Sequence, residues 1–188
     1  MIKSNLIAVA LALALTAPVN AQVVLTISSE QTTTYVRNFN PFNQTSARAT
    51  TKDFIYEPLA IFNRLAGAKW EYRLAESHEL ADDLKSVTFV LREGLKWSDG
   101  EPFTADDVVF TYDYLTKFPA LDFNSVSALM EKVEKVDERT VRFNLKQPNS
   151  LVTTTIVAMP IVPEHIWKDV ADPVTVANET PVGSGPMT

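Results

Sequence analysis

The chain has 188 residues, with 17 basic and 23 acidic side chains and a net charge of −6 at neutral pH. This acidic balance, without basic clusters, argues against binding to nucleic acid or to an anionic membrane surface. The absence of cysteine excludes disulfides, thiolate metal ligands and cysteine nucleophiles.

Residues 1–21 have the pattern of a secretory signal. Lys3 precedes an unbroken apolar run at 6–15, and a small-residue ending follows at Ala21. The run is too short to cross a bilayer, which needs about 20 apolar residues. We therefore predict cleavage before Gln22 and a mature protein that is not inserted in the membrane. Because no cysteine near the cleavage point can carry a lipid, the sequence predicts an unlipidated periplasmic protein.

A β-rich run at residues 23–27 predicts the first strand, and the polar, turn-rich stretch that follows predicts a loop. The loop interleaves aromatic side chains with Asn and Arg, a composition that suits a binding surface. For Phe39 and Phe42, burial beneath the loop is an equal alternative. The sequons beginning at Asn43 and Asn178 are interpreted as surface loop residues.

The next segments alternate between helix and strand patterns. Residues 52–64 predict a helix broken near Pro58, and residues 69–80 predict a half-buried strand. A second strand is predicted at 87–91 from its alternating apolar residues. Further on, residues 133–145 predict a hairpin.

Two short helices are predicted near the end of the chain. Ser150 is the expected N-cap of an apolar helix over 151–159, and Pro163 marks the start of a second helix with Glu164 in its first turn. The lone histidines, His78 and His165, have no nucleophile signature beside them. We interpret His165 as an exposed residue and Trp167 as a packing residue.

Four carboxylates lie close together in the stretch 91–115, at Asp99, Glu101, Asp106 and Asp107. Their spacing fails the calcium loop pattern, and helix-capping residues are poorly placed to face one another across a sugar. Thr104 instead predicts a helix N-cap, with Asp107 in a capping box and the helix ending near Lys117.

The remaining carboxylates of the stretch also have structural interpretations. Asp99 is expected in an Asx turn, and Glu101 in a solvent-facing loop. We expect substitutions at Asp99, Gly100 or Thr104 to lower stability without changing ligand selectivity. No catalytic residue, metal ligand or cofactor motif is predicted, so the sequence does not predict an enzyme.

An ordered set of motifs resembles the N-terminal part of bacterial extracellular solute-binding proteins of family 5, which includes peptide- and nickel-binding proteins of ABC importers. The long central motif at 87–115 carries most of the specificity. The motifs are FNPF at 39–42, YEPL at 56–59, LAES at 74–77, VTFVLREGLKWSDGEPFTADDVVFTYDYL at 87–115, VEKVDERTVRFNL at 133–145, IVPEHIW at 161–167 and PVGSGPM at 181–187.

The resemblance implies a mixed α+β and α/β architecture of the periplasmic binding protein-like II type, with two lobes that close on a ligand. Residues 22–60 would hold the first strand and cleft loop of lobe one, and 61–180 a small second domain with a mixed sheet and helices. Residues 181–188 would begin the return to lobe one. Family members are much longer, so this chain is expected to be a fragment without the opposing lobe.

The resemblance also implies a function and a site. The protein would capture oligopeptides or dipeptides as a monomer and deliver them to the permease subunits of an ABC importer. By segment position, the ligand-proximal residues would be Tyr35, Val36, Arg37, Asn38 and Phe39.

Three other interpretations stay open. Trp70, Tyr72 and Trp97 suit either sugar stacking in an oligosaccharide-binding member or a core and hairpin face, and the packing role is favoured. A secreted hydrolase and a stand-alone interaction module are the alternatives from other classes. Neither has a motif in its support.

Overall fold

The computed structural model of the chain describes residues 37–43 and 52–187. The signal at 1–21 and the strand predicted at 23–27 lie outside the described residues. Within the described part, the strands are β1 (Ala60–Asn63), β2 (Lys69–Tyr72), β3 (Ala75–Leu80), β4 (Ser86–Leu91), β5 (Met130–Lys135) and β6 (Thr140–Leu145). The helices are α1 (Lys52–Ile55), α2 (Ala105–Lys117), α3 (Val126–Leu129), α4 (Val152–Ile156) and α5 (Glu164–Trp167), with a 3-10 turn at Pro119–Leu121.

Four strands form an antiparallel sheet in the order β3-β4-β6-β5. Alternate residues of the two central strands are buried, with Val87 directly opposite Phe143 and Phe89 opposite Val141. This period of two places one apolar face of the sheet toward the core. The strand predicted at 87–91 and the hairpin predicted at 133–145 are both confirmed.

Helix α2 covers this face of the sheet. The Tyr112 ring lies 4.8 Å from the Phe143 ring in an edge-to-face arrangement. The Tyr112 hydroxyl donates a 2.8 Å hydrogen bond to the carbonyl oxygen of Ile156 in α4. The buried stripe of α2 therefore joins the sheet to the C-terminal part of the described chain.

The start of α2 is the predicted capping box. The Thr104 amide donates to Asp107 Oδ2 at 2.9 Å, and Thr104 Oγ1 accepts a 3.2 Å hydrogen bond from the Asp106 amide. Phe103 and Val108, the two positions of a hydrophobic staple, are both buried. The helix extends to Lys117, as the sequence predicts.

Asp107 also reaches a second helix. Its Oδ1 accepts a 3.0 Å hydrogen bond from the Glu164 amide at the start of α5. The side chain is buried, and this burial raises its pKa more than the hydrogen bonds from the Thr104 and Glu164 amides lower it. One carboxylate thus fixes the starts of two helices.

The prediction of a broken helix over 52–64 is correct only in its first half. Helix α1 is present, but Ala60–Asn63 form a strand that pairs with β2 instead of a helix. Pairing buries Ala60 and brings the Phe62 ring to 4.8 Å from the Trp70 ring. The tertiary packing of these rings overrides the helical spacing of the local sequence.

The single strand predicted over 69–80 is divided into β2 and β3. The break falls at Arg73 and Leu74, whose amides donate to the carbonyl oxygens of Leu59 and Pro58. Because of these hydrogen bonds, β2 and β3 do not form one continuous strand. The resulting hairpin of β1 and β2 is a separate two-stranded sheet.

The helix predicted over 151–159 is shorter, and its predicted cap is wrong. The helix is Val152–Ile156, and no side chain caps its start. Asn149, rather than Ser150, makes the local side-chain bond, because its Oδ1 accepts from the Leu151 amide at 2.9 Å. The second short helix begins after Pro163 as predicted.

Two stretches that are distant in sequence cross one another at the edge of this domain. The amides of Gly185 and Met187 donate to the carbonyl oxygens of Ile55 and Phe54, at 2.8 and 3.1 Å. The Glu57 amide donates to Ser184 Oγ at 3.0 Å. We call residues 54–57 and 183–187 the crossing segments.

The stretch Trp97–Gly100 holds the second crossing segment from its other side. The Ser98 amide donates to the Gly183 carbonyl oxygen at 2.9 Å, and the Gly183 amide donates back to Ser98 Oγ at 3.1 Å. A Cβ at Gly183 would overlap the Ile55 carbonyl oxygen. This close approach of two backbones requires glycine.

Replacing Asp107 with alanine is expected to destabilise the protein by about 1–3 kcal/mol, because two amides lose a buried acceptor. Asp106 is the matched control, since it is exposed and lies one residue away in the same helical turn. Asp106→Ala is expected to cost below about 1 kcal/mol. Urea unfolding of both variants measures the difference, and equal losses would contradict the role of Asp107.

Gly183→Ala is expected to cost more than about 2 kcal/mol, since the added methyl forces the crossing segments apart. Gly67→Ala is the control, because Gly67 has a φ of +82° but open space around its Cβ position. Gly67→Ala is expected to be destabilised only by the backbone strain that alanine has at a positive φ, about 1–2 kcal/mol. Thermal unfolding compares them. A smaller loss at Gly183 than at Gly67 would refute a tight crossing.

Candidate functional site

The five residues predicted near the ligand divide between described and undescribed parts of the chain. Tyr35 and Val36 lie outside the described residues. Arg37 is exposed, and its guanidinium carbon lies 5.9 Å from the centre of the Phe39 ring. Asn38 and Phe39 are half-buried. The described part of this site therefore offers a cation, an amide and an aromatic ring within three consecutive residues.

Asn40 fixes this segment to the far end of the described chain. Its side chain has no exposed surface, and Nδ2 donates to the carbonyl oxygens of Pro173 and Val176 at 2.8 and 2.9 Å. Its Oδ1 accepts a 2.9 Å hydrogen bond from the Phe42 amide. All polar atoms of the side chain are thus satisfied, as burial requires.

Backbone pairing reinforces the attachment. The Phe39 amide donates to the Ala177 carbonyl oxygen at 2.9 Å, next to the position where Asn40 is held. Phe42 is buried and packs edge-to-face on Trp167 at 5.4 Å, which confirms Trp167 as a packing residue. Of the two alternatives for the loop aromatics, Phe42 takes the core position, and Phe39 only partly does.

Asn178 joins the segment to Tyr56, the residue after α1, and is not the simple surface residue that its sequon predicted. Its Nδ2 donates to the Tyr56 hydroxyl oxygen at 2.7 Å and to the Phe39 carbonyl oxygen at 3.3 Å. Burial raises the Tyr56 pKa far above its ordinary value, more than the Asn178 bond lowers it. The phenol is therefore neutral and anchors the amide of Asn178. With these bonds the side chain is half-buried.

A cleft lined mostly by apolar side chains lies directly beside residues 37–43. Its volume is about 330 Å³, and among the described lining residues Asn124 alone carries a side-chain amide. The Phe123 side chain in its lining is 36% exposed. We call it the aromatic cleft, and it is lined by Pro41, Phe42, Phe123, Asn124, Ala158, Met159 and Pro160.

A larger cleft, of about 580 Å³, lies on the other side of Ala158. It is lined by the β1–β2 hairpin, the first crossing segment, α4 and the residues after α4. Its polar side chains are Glu57, Arg64, Arg73 and Thr154. Among the described residues, neither cleft has Arg37, Asn38 or Phe39 in its lining. The aromatic cleft is lined by Pro41 and Phe42, which follow these residues in the chain, whereas the larger cleft has no described residue of 37–43 in its lining. We therefore place the candidate site at the aromatic cleft.

The aromatic residues considered for sugar stacking are engaged in packing. Trp97 is buried, and Trp70 and Tyr72 are half-buried. The Trp70 ring lies 4.7 Å from the His78 ring, and the Tyr72 hydroxyl lies 2.9 Å from His78 Nδ1. Burial lowers the pKa of His78, which favours its neutral form. The favoured packing interpretation holds for these three residues.

The carboxylates of the stretch 91–115 bind neighbouring chain atoms. Asp99 Oδ1 accepts from the Glu101 amide at 3.1 Å, as expected for an Asx turn, while Glu101 is exposed as expected. Asp99 Oδ2 also lies 2.7 Å from His165 Nε2. His165 is thus a half-buried partner of this turn and not the exposed residue that was predicted.

The environment of Asp99 lowers its pKa. Desolvation raises the pKa of this carboxyl, but the hydrogen bonds from His165 and the Glu101 amide outweigh it. Within residues 37–43 and 52–187, no group of three or more His, Asp or Glu side chains is arranged to hold a metal ion.

The comparisons with known proteins fit this architecture. The profile of the bacterial extracellular solute-binding proteins, family 5, middle part, matches residues 69–187. The chain belongs to this family. This confirms the resemblance, and the described residues form a mixed α and β part of its two-lobe fold.

Individual relatives extend the match toward the N-terminus. A binding protein of Brucella melitensis biotype 1 is 35% identical over 161 residues, which cover 79% of this chain and 26% of the relative. The mannohexaose-bound periplasmic oligopeptide-binding protein of an ABC transporter from Thermotoga maritima has a TM-score of 0.71 and 38% identity, with 80% of this chain and 28% of that one covered.

A third relative carries a peptide. The oligopeptide-binding protein AppA of Bacillus subtilis, in complex with a nonapeptide, has a TM-score of 0.66 and 26% identity over 79% of this chain and 31% of that one. The chain spans about a quarter of the length of the curated relatives it matches. No helix in the described residues has both the length and the apolar character needed to cross a membrane.

The sequence alone does not identify Asn40, Tyr56 and Asn178 as the residues whose side chains hold residues 37–43 in place. The Asn-Pro pair at 40–41 signals a turn, but the partners of Asn40 lie more than 130 residues away. A turn signal contains no information about such a distant partner. The packing of 37–43 against 173–178 is therefore a result that only the tertiary structure provides.

Asn40→Asp is expected to destabilise the protein by about 2–3 kcal/mol, because an oxygen would replace the buried donor that faces two carbonyl oxygens. Asn63 is the control, since its side-chain bond to Glu71 is exposed. Asn63→Asp should change stability by less than about 1 kcal/mol. Thermal unfolding measures both, and a tolerated change at Asn40 would show that this anchor is dispensable.

Proposed function

We propose that this chain is the N-terminal part of the substrate-binding component of an ABC importer, which captures oligopeptides or dipeptides and delivers them to the membrane permease. The observation that carries the proposal is the position of residues 37–43, which Asn40 holds beside the aromatic cleft. A preformed, mostly apolar cleft next to a fixed polar segment is a common form of small-ligand site. The relatives described as oligopeptide-binding proteins favour peptides.

The proposed ligand contacts are Tyr35, Val36, Arg37, Asn38 and Phe39. Peptides are commonly held through their backbone, in strand-like hydrogen bonding, while their side chains enter roomy pockets. Asn38 and the backbone of this segment supply polar groups, and the Phe39 ring and the aromatic cleft supply apolar surface. A segment fixed in advance binds with a smaller loss of conformational entropy.

The proposed domain organisation follows the crossing segments. Residues 22–60 would contribute the first strand and cleft loop of lobe one, 61–180 the small second domain, and 181–188 the start of the return to lobe one. The paired backbones at 54–57 and 183–187 support two chain connections lying side by side. Residues 1–21 would be removed on export, leaving an unlipidated, monomeric periplasmic protein.

Oligosaccharide binding is the second candidate function. It is favoured by one observation, that the Thermotoga maritima relative at 38% identity is described with mannohexaose bound. The packing of Trp70, Tyr72 and Trp97 removes the aromatic rings first considered for it. Phe123, which is 36% exposed, lies in the lining of the aromatic cleft and is the side chain that we propose would contact a sugar.

Calorimetry on the complete protein encoded by the reading frame that contains this chain tests the proposal. Titrants are a random-sequence pentapeptide pool, a dipeptide pool, mannohexaose and a cello-oligosaccharide. We expect heat of binding with at least one peptide pool and weaker binding, by about tenfold or more, in Asn38→Ala and Tyr35→Ala. The melting temperature of each variant must equal that of the unaltered protein, so that weaker binding is not caused by partial unfolding.

The Phe123→Ala variant distinguishes the two candidates. Loss of mannohexaose binding in this variant, together with no response to either peptide pool in the unaltered protein, would replace the peptide proposal with the oligosaccharide one. Lys168→Gln serves as the control, because this exposed side chain at the end of α5 is absent from the lining of both clefts.

A further inference from the structure

A loop over residues 165–183 is held at both ends by adjacent residues of one turn. At its start, His165 Nε2 lies 2.7 Å from Asp99 Oδ2. At its end, the Ser98 amide donates to the Gly183 carbonyl oxygen at 2.9 Å, and the Gly183 amide donates to Ser98 Oγ at 3.1 Å. Because Ser98 and Asp99 are neighbours in the chain, the two ends of the loop lie side by side. We call residues 165–183 the anchor loop.

Groups of the anchor loop hold residues 37–43 in place. Three backbone carbonyl oxygens of the loop accept hydrogen bonds from the Asn40 side chain and the Phe39 amide, at 2.8 to 2.9 Å. These carbonyl oxygens belong to Pro173, Val176 and Ala177. The loop also contributes Trp167, whose ring centre lies 5.4 Å from that of Phe42. The position of the segment predicted near the ligand therefore depends on the position of this loop.

The anchor loop has little regular structure with which to keep its own shape. It begins within α5, which has four residues and, in the described part of the chain, no side chain of an N-cap residue bound at its start. The Glu164 amide at this start donates to Asp107 Oδ1 instead. A single helical turn is not stable by itself in water. Residues 168–183, all of which the structure describes, contain neither helix nor strand. The loop therefore depends on its contacts with the rest of the domain, including those at its two ends.

The two ends of the anchor loop are held by different kinds of contact. At Gly183 one of the two hydrogen bonds joins backbone atoms, and the backbone there packs too closely to leave room for a Cβ. At His165 the contact joins two side chains, those of His165 and Asp99, which are 33% and 31% exposed. A hydrogen bond to an ionised carboxylate is charge-assisted and is stronger than one between neutral groups. The start of the loop is thus closed by a side-chain pair that substitution can remove.

We propose that His165 is a positioning residue for ligand binding, which closes the anchor loop through Asp99 and thereby holds residues 37–43 in the conformation that meets the ligand. A segment that is held in advance loses less conformational entropy when a ligand binds. His165 is not among the residues that line either cleft, so it acts through the loop and not by contact with the ligand. The inference rests on the proposed function, because it takes residues 37–43 to contact the ligand.

Hydrogen exchange on the complete protein tests whether His165 closes the loop. His165→Leu keeps an apolar side chain but has no donor, and the amides of 37–43 and 168–183 are expected to exchange about tenfold faster in this variant. Peptides from the central strands β4 and β6 are the internal reference and should not change. His165→Gln should restore slow exchange, because its side-chain nitrogen donates from nearly the position of the imidazole Nε2. Lys168→Gln, an exposed change beside α5, is the matched control and should exchange like the unaltered protein.

Calorimetry on the same variants tests the effect on the ligand. The titrants are the pentapeptide pool, the dipeptide pool, mannohexaose and a cello-oligosaccharide. For each titrant that the unaltered protein binds, His165→Leu is expected to weaken binding about fivefold or more, and His165→Gln by less than about twofold. In an Asp99→Ala background, where the partner is already absent, His165→Leu should change the affinity by less than about twofold. An effect of the same size in both backgrounds would contradict a role through Asp99.

The possible results separate the inference from the function on which it rests. Unchanged exchange at 37–43 in His165→Leu overturns the inference, and so does exchange that rises equally in β4 and β6, since His165 then does not position this segment in particular. Faster exchange at 37–43 together with full affinity also overturns it. If the unaltered protein binds none of the titrants, the proposed function itself has failed, whatever the exchange shows.

A second variant keeps the test decisive if His165→Leu does not fold. Ser98→Ala removes the acceptor of the Gly183 amide and so weakens the other end of the anchor loop. The same amides, at 37–43 and 168–183, are expected to exchange faster in this variant, with β4 and β6 unchanged. Unchanged exchange at 37–43 in Ser98→Ala would show that closure of the loop does not hold this segment.

Discussion

The crossing of residues 54–57 with residues 183–187 brings two backbones close enough for direct hydrogen bonds, and the stretch around Ser98 holds the second of them from the other side. Such an approach leaves no room for a Cβ at Gly183. Both ends of the described domain are therefore fixed relative to its centre. The candidate site depends on this, because Tyr56, which follows α1 directly, anchors Asn178 and through it the segment 37–43.

In the acidic stretch after β4, the Asp99 and Asp107 carboxylates both accept hydrogen bonds from backbone amides. Asp107 accepts hydrogen bonds from amides at the starts of two helices, and Asp99 accepts one from its own turn and pairs with His165. The same stretch contains Ser98, which exchanges two hydrogen bonds with Gly183 in the second crossing segment.

The two clefts that share Ala158 differ in the side chains that line them. Among the described residues, the aromatic cleft is lined by apolar side chains and Asn124. The larger cleft is lined by apolar side chains and also by Glu57, Arg64, Arg73 and Thr154.

The sequence by itself determined the family and those local elements that depend on near neighbours in the chain. The capping box at Thr104, the strand at 87–91 and the hairpin at 133–145 depend on neighbours within a few residues, so their patterns were sufficient. Only the tertiary structure decided that residues 60–63 form a strand, that His165 pairs with Asp99, and that Asn40 binds the carbonyl oxygens of Pro173 and Val176. These features result from contacts between residues distant in the chain, which local periodicity and propensity do not record.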